Sequence, residues 1–157
     1  MTDFYEPPSD FLKAVAADEV PLSGSMFADA NLARLRVMTR DTDRANRDWA
    51  VMLLCQQDLE TPEIGTALRE AADDDDIYVR SEAIYGLACR DTNIALPLAL
   101  REFEAGYATL QILEAATELS HPSLLPVLRS YAAPSDDARL DALVHEAIAA
   151  CSTAPQR

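Results

Sequence analysis

Two segments of this chain match each other at a constant offset of 33 residues. The first runs from residue 41 to residue 54 and the second from residue 74 to residue 87. Identical residues recur along this alignment, which pairs Asp43 with Asp76, Arg47 with Arg80, Ala50 with Ala83, Leu54 with Leu87 and, just beyond it, Asp58 with Asp91. A period of about 20 to 50 residues is typical of solenoid proteins, whose units bury their apolar faces only against neighbouring units. The repeat therefore predicts a stack of similar units.

The spacing of apolar residues predicts helices almost throughout the chain, and no stretch alternates as a strand does. We expect nine helices, close to residues 11–19, 27–40, 44–57, 62–72, 77–90, 94–104, 107–119, 123–132 and 138–150. Short connections join them into antiparallel pairs, which span 27–57, 62–90, 94–119 and 123–150. The expected fold is all-α, a right-handed α-α superhelix of about four helical hairpins with an N-terminal capping helix.

The chain is long enough for one continuous core, because it has 157 residues and 49% of them are hydrophobic. We expect a single domain over residues 1–157. Its parts are a tail and capping helix in 1–25, repeats in 27–150 and a frayed tail in 152–157. The chain opens without the basic and apolar regions of a secretory leader, and no apolar run reaches membrane-spanning length. We therefore expect a cytoplasmic protein.

The chain is strongly acidic, with 27 Asp and Glu residues against 13 Lys and Arg and a net charge of −14. Proteins bind nucleic acids largely by neutralising phosphates with Lys and Arg, so this balance argues against a nucleic-acid partner. The same charge would attract a basic protein and speed its association. Acidic charge also keeps many proteins soluble without any partner, and composition alone leaves both interpretations open.

One unit carries a complete family pattern in Asp76, Val79, Arg80, Ala83 and Leu87. These residues resemble the HEAT-repeat family, in particular the short bacterial form called phycobilisome-lyase-like HEAT repeats. The unit at 43–54 is similar but has Asn46 in place of the valine, and the unit at 107–119 lacks the arginine. The resemblance covers about residues 27–150. It implies a scaffold protein, since only a minority of the family are enzymes.

The resemblance also implies a ladder of ion pairs between units. In the family, the arginine of this pattern pairs with an aspartate in a turn between repeats. We therefore expect Arg47 and Arg80 to be the donors of the ladder, with Asp43 and Asp76 as their acceptors.

A second set of residues lies opposite the core-facing stripe of two successive units. In solenoids of this kind the second helix of each pair lines the concave face. Residues spaced by three and four positions share one helix face, and this spacing defines a concave strip of Asp48, Trp49, Met52, Tyr78, Glu82, Tyr85 and Glu114. Aromatic and Met side chains among carboxylates suit a protein partner with apolar anchors and basic residues. Alternatively, the aromatic side chains pack against neighbouring helices.

No motif for catalysis or for a cofactor is evident. The acidic run 73–76 lacks the glycine and glutamate that an EF-hand loop places at its sixth and twelfth positions. Neither His121 nor His145 is followed by a metal-ligand companion four residues later. We therefore expect no metal and no cofactor.

These observations predict a non-enzymatic protein-binding scaffold that uses its concave face, with a basic protein or segment as partner. An immunity-type role against a basic toxin fits the same properties. The alternative is a lyase-like enzyme subunit, or a chaperone for a cofactor or a modified protein. The sequence does not specify the oligomeric state.

Overall fold

The structure is a computed structural model, and it describes residues 5–153. Within this part of the chain there are nine α-helices and one 3₁₀ turn, Pro122–Leu124, which precedes the eighth helix. The helices are α1 (Asp10–Ala16), α2 (Ala28–Met38), α3 (Arg44–Cys55), α4 (Pro62–Ala71), α5 (Ile77–Ala88), α6 (Thr92–Glu104), α7 (Leu110–Leu119), α8 (Leu125–Ser130) and α9 (Ala138–Thr153). The expected all-α fold is confirmed.

The helices form two rows. Helices α3, α5, α7 and α9 pack side by side as an inner row, and α2, α4, α6 and α8 form the outer row. Inner helices contact their neighbours extensively, whereas outer helices contact each other little. The stack therefore curves towards the inner row, which makes the inner row its concave side. Helix α1 packs on α3, as expected of an N-terminal capping helix.

Short polar side chains fix where the inner helices begin. The carboxylates of Asp43 and Asp76 accept hydrogen bonds from the first free backbone N–H groups of α3 and α5. The Thr109 hydroxyl does the same for α7. Such caps satisfy donors that have no partner within the helix, and aspartate also favours the positive end of the helix dipole. The start of α7 therefore lies at Leu110, three residues after the expected position.

The ends of the last two helices also differ from expectation. The segment expected as 123–132 is divided into a 3₁₀ turn and the short α8, with Pro122 and Pro126 each near the start of its element. Proline lacks the N–H of a helical hydrogen bond, which limits it to such positions. Helix α9 extends to Thr153, so Ser152 is helical instead of frayed. Residues 154–157 of the expected tail lie outside the described residues. Among the described helices, none combines the length and hydrophobicity needed to cross a membrane.

Small residues allow the inner helices to approach closely. Ala50, Ala83, Ala116 and Ala147, one on each inner helix, are all fully buried. At Gly86 on α5 there is no room for even one carbon atom more, because an added Cβ would overlap the Cys55 sulfur and press on Leu68. The helix interface thus requires glycine at this position, although glycine is a poor helix former.

We predict that Gly86→Ala lowers the free energy of unfolding by about 1 to 3 kcal/mol, as overpacked cores do, despite the better helix propensity of alanine. Gly65→Ala is the matched control, since Gly65 on α4 has only the Arg69 guanidinium nearby. It should stabilise the protein by up to about 1 kcal/mol. Urea denaturation measures both effects. The double variant Cys55→Ala/Gly86→Ala should recover most of the loss, and a loss that persists would contradict the proposed contact.

Candidate functional site: the concave strip

The residues predicted for the concave strip all lie on inner-row helices. Asp48, Trp49 and Met52 lie on α3, and Tyr78, Glu82 and Tyr85 lie on α5. Glu114 extends the strip onto α7. All are half-buried except Tyr78, which is 52% exposed. Trp49 and Tyr85 each pack one side against the core, so the two interpretations of these aromatic residues are not exclusive.

Glu82 occupies the middle of the strip. Burial, followed by the charges of Asp48 and Glu114, raises the pKa of Glu82 to about 7, while the Gln111 side chain opposes the rise. The carboxylates of three neighbouring inner-row helices, α3, α5 and α7, are therefore close enough to repel one another. Removing water from a carboxylate disfavours its charged form, and like charges nearby add to this effect.

The Asp48 end of the strip carries a residue that the repeat pattern could not reveal. The Tyr5 hydroxyl donates a hydrogen bond of 3.1 Å to the Asp48 carboxylate. The Tyr5 ring stacks on Trp49 with 5.8 Å between ring centroids and 23° between planes. Tyr5 precedes the first helix, and no sequence signal places it on α3.

Burial raises the pKa of both groups in this contact. The pKa of Tyr5 rises to about 12, first through burial and then through the charge of Asp48. Burial also raises the pKa of Asp48, while its hydrogen bond from Tyr5 and the charge of Arg44 oppose the rise. The Tyr5 hydroxyl is therefore a hydrogen-bond donor over the whole neutral pH range.

At Tyr78 the strip borders a surface groove of about 430 Å³ at the start of α5 and α7. Its walls include the exposed rings of Tyr78 and Tyr107 and the apolar side chains of Leu110 and Leu140. The Arg44 guanidinium lies 5.2 Å from the centre of the Tyr78 ring. This groove can accept a flat apolar group, and cations bind favourably over tyrosine faces.

The ladder of arginines is present, but its acceptors were predicted wrongly. Arg47 binds both oxygens of Asp74, at 2.8 and 3.0 Å, instead of Asp43. Asp43 is occupied as the cap of α3. A carboxylate at this position points at the N–H groups of its own helix, so it is not free to receive the arginine of another unit.

The second rung differs in the same way. Arg80 binds both oxygens of Glu102 at 3.0 and 3.1 Å, and Asp76 instead caps α5 and receives Arg44. Glu102 is only 3% exposed and also receives Arg101. The turn at 105–109 contains no carboxylate, and this feature of the sequence could have indicated an acceptor from the preceding helix.

Both arginines also hold the turn before their own helix. Arg47 donates to the carbonyl oxygens of Asp41 and Thr42. Arg80 donates to those of Asp74 and Asp75, which occupy the equivalent positions 33 residues later. The repeat seen in the sequence is therefore preserved atom by atom in these contacts, and the role of both arginines is structural.

We predict that Arg80→Met lowers the free energy of unfolding by about 2 to 3 kcal/mol, because it leaves the buried Glu102 carboxylate with only Arg101 as cationic partner. Arg44→Met is the matched control, because the Arg44–Asp76 pair is more exposed. It should cost less than about 1 kcal/mol. Guanidinium chloride denaturation gives both values, and equal losses would contradict a special role for the buried pair.

No protein-family model matches the sequence, and neither does any curated protein. Among solved structures, the chain is similar to the crystal structure of the Escherichia coli protein YibA, with a TM-score of 0.65 and 24% sequence identity. The similarity covers 90% of this chain and 55% of the YibA chain, so this chain spans about half the length of that protein. A likeness at this identity shows the fold alone, which is an all-helical repeat fold.

Proposed function

We propose that this protein is a non-enzymatic scaffold whose concave strip binds a basic segment of a partner protein. The observation that carries the proposal is a row of carboxylates without cations. Within residues 5–153, Asp48, Glu82 and Glu114 form no ion pair with a lysine, arginine or histidine side chain. Partly buried charges are normally paired, so a surface of this kind favours a ligand that brings positive charge.

The distribution of the chain's own arginines strengthens this argument. Each carboxylate of the acidic turn 73–76 forms an ion pair with an arginine from elsewhere in the chain. Arg44 pairs with Asp76, Arg47 with Asp74 and Asp75, and Arg101 with Asp73. In the part of the chain that the structure describes, arginines thus pair with the acidic turn but none forms an ion pair with the carboxylates of the strip. The acidic turn and the strip differ in this respect because apolar and aromatic residues occupy the positions next to the strip carboxylates on the inner helices.

The aromatic side chains supply the second part of the surface. Trp49 and Tyr85 are held by the core on one side, so ordering them for binding costs little conformational entropy. Rigid aromatic residues beside charged ones are typical of the residues that dominate binding energies. A partner segment that alternates arginine with aromatic residues matches both features, because the guanidinium also stacks on aromatic faces.

We predict that a fluorescent peptide alternating arginine with tyrosine binds the protein at physiological salt and pH 8. Glu82→Gln should weaken this binding about tenfold, and Tyr85→Ala about thirtyfold, the loss expected of a central aromatic anchor. Fluorescence anisotropy measures each Kd.

The matched control for this experiment is Glu104→Gln, because Glu104 is an exposed glutamate at the end of the outer helix α6. It should leave the Kd unchanged. A peptide with glutamate in place of arginine should not bind. If Glu82→Gln and Glu104→Gln behave alike, the concave strip is not the binding surface.

We further predict that affinity for this peptide rises between pH 6 and pH 8. The pKa of Glu82 is about 7, raised by burial and by the facing Asp48 and Glu114 carboxylates, so the side chain gains its charge in this range. A bound cation favours the charged form, and binding therefore releases a proton. Glu82→Gln should abolish the dependence. A wild-type affinity that stays constant over this range would contradict the assignment.

The same pKa shift determines how stability depends on pH. In the unfolded chain Glu82 titrates near its ordinary pKa of 4.5, whereas in the folded protein it titrates near 7. The unfolded state therefore loses this proton first, and the contribution of Glu82 to stability becomes less favourable as the pH rises from about 4.5 to about 7. Glu82→Gln should accordingly melt at a higher temperature than wild type at pH 8, but not at pH 4.

A further inference from the structure

We propose that Trp49 and Asp48 form a socket for an aromatic side chain bearing a hydroxyl donor, that Tyr5 fills this socket reversibly, and that a partner's tyrosine takes its place. The first two statements depend only on the contacts around α3. The third rests on the proposed function, since it identifies the residue with which a basic partner enters the strip.

The socket recognises two features of the same side chain. The Trp49 ring provides a flat surface on which the Tyr5 ring stacks. The Asp48 carboxylate accepts the hydroxyl at 3.1 Å from a neighbouring position on the same helix. A phenylalanine could stack on Trp49 but could not donate to Asp48, whereas a serine could donate to Asp48 but could not stack on Trp49. Stacked aromatic pairs prefer this offset geometry, and hydrogen bonds to a charged acceptor are stronger than neutral ones.

Tyr5 is held weakly compared with the residues that follow it. Its side chain is 52% exposed even in contact with Trp49. By contrast, Pro7 is buried, and the Ser9 N–H donates to the Asn46 side chain at 3.1 Å. One stack and one exposed hydrogen bond correspond to about a tenfold preference for the docked position. The backbone that precedes Pro7 can therefore move and release Tyr5 from Trp49 and Asp48 while α1 stays in place.

The docked tyrosine also leaves one polar group unsatisfied. The indole N–H of Trp49 is buried, and it finds no acceptor in the described part of the chain. A buried donor without a partner carries a free-energy cost. An incoming peptide has backbone carbonyl groups next to its aromatic side chain, so it can supply both the ring and an acceptor that the Tyr5 side chain lacks.

The first part of the test uses Trp49 as its probe. Trp49 is the only tryptophan in the chain, so its indole N–H gives a single NMR signal. Tyr5→Ala should shift this signal and raise acrylamide quenching of Trp49 fluorescence at least about twofold. Millimolar p-cresol, which is the tyrosine side chain as a free molecule, should move the signal of Tyr5→Ala back towards wild type. Toluene, which lacks the hydroxyl, should do so less.

The control variant is Phe27→Ala, which removes an exposed aromatic residue at the start of the outer helix α2. It should leave the indole signal and the quenching unchanged. A signal that does not change in Tyr5→Ala, or that p-cresol cannot restore, would overturn the socket. An equal response to toluene and p-cresol would overturn the role of Asp48 as the hydroxyl acceptor.

The second part measures exchange with the arginine and tyrosine peptide. Removing the internal competitor should tighten binding about tenfold in Tyr5→Ala, and about threefold in Tyr5→Phe, which keeps the ring. Peptide binding that is equal in wild type and Tyr5→Ala would overturn the exchange while leaving the basic partner in place. If p-cresol restores the signal but the peptide binds no variant, the socket is upheld and the proposed basic partner is rejected.

Discussion

The close approach of α3, α5, α7 and α9 is the constraint on which the rest of the structure depends. A buried alanine on each inner helix, together with Gly86 against Cys55, lets the inner helices pack directly on one another. The outer helices lack such contacts and stand further apart. Curvature follows from this difference, because a stack that is tighter on one side must bend towards that side. The concave strip is thus a consequence of small side chains elsewhere on the same helices.

The second organising feature is the division of charge between the turns and the inner face. Arg47 and Arg80 each bind the carbonyl oxygens of their own turn and a carboxylate of the next unit. They act beside other polar links between units, such as Arg90 on the carbonyl oxygens of Cys55 and Gln57 and Arg101 on that of Ala72. The ladder stops at α7, where the position corresponding to the arginine is the buried Leu113. Beyond that point apolar packing dominates, supplemented by the Tyr131 hydroxyl, which donates to the Phe103 carbonyl oxygen, and by the Cys151 thiol, which donates to that of Ala116.

The sequence predicted the architecture well because the repeat acts on it directly. A period of 33 residues and an aspartate before α3 and α5 are local signals, and these two helices begin where they were expected, whereas α7 begins three residues later, after its threonine cap. The ladder acceptors were missed because Asp43 and Asp76 satisfy two rules at once, and capping of the local helix prevails over pairing with a distant arginine. A cap is available as soon as its helix forms, whereas the ion pair requires two units to be stacked.

The residues that form the concave strip were likewise predictable from the sequence, but the pKa of Glu82 and the docking of Tyr5 on the strip were not. Helical spacing places Asp48, Trp49, Glu82 and Glu114 on one face, whereas the pKa of Glu82 depends on the distance between helices. The docking of Tyr5 depends on the path of a segment that precedes the first repeat. Periodicity carries no information on either point, because both are set by tertiary packing.

Along the strip, the Asp48 and Glu82 carboxylates are stabilised in two different ways without an ion pair in the described part of the chain, whereas Tyr78 has a cation of the chain itself against its ring. At Asp48 a tyrosine hydroxyl donates to the carboxylate. At Glu82 a proton is retained until the pH approaches 7. At Tyr78 the Arg44 guanidinium, already paired with Asp76, lies against the ring. Each of these can be replaced by an arginine or tyrosine from outside. A basic partner would therefore exchange weak internal contacts for stronger external ones, and its net affinity would be smaller than the sum of the contacts it makes.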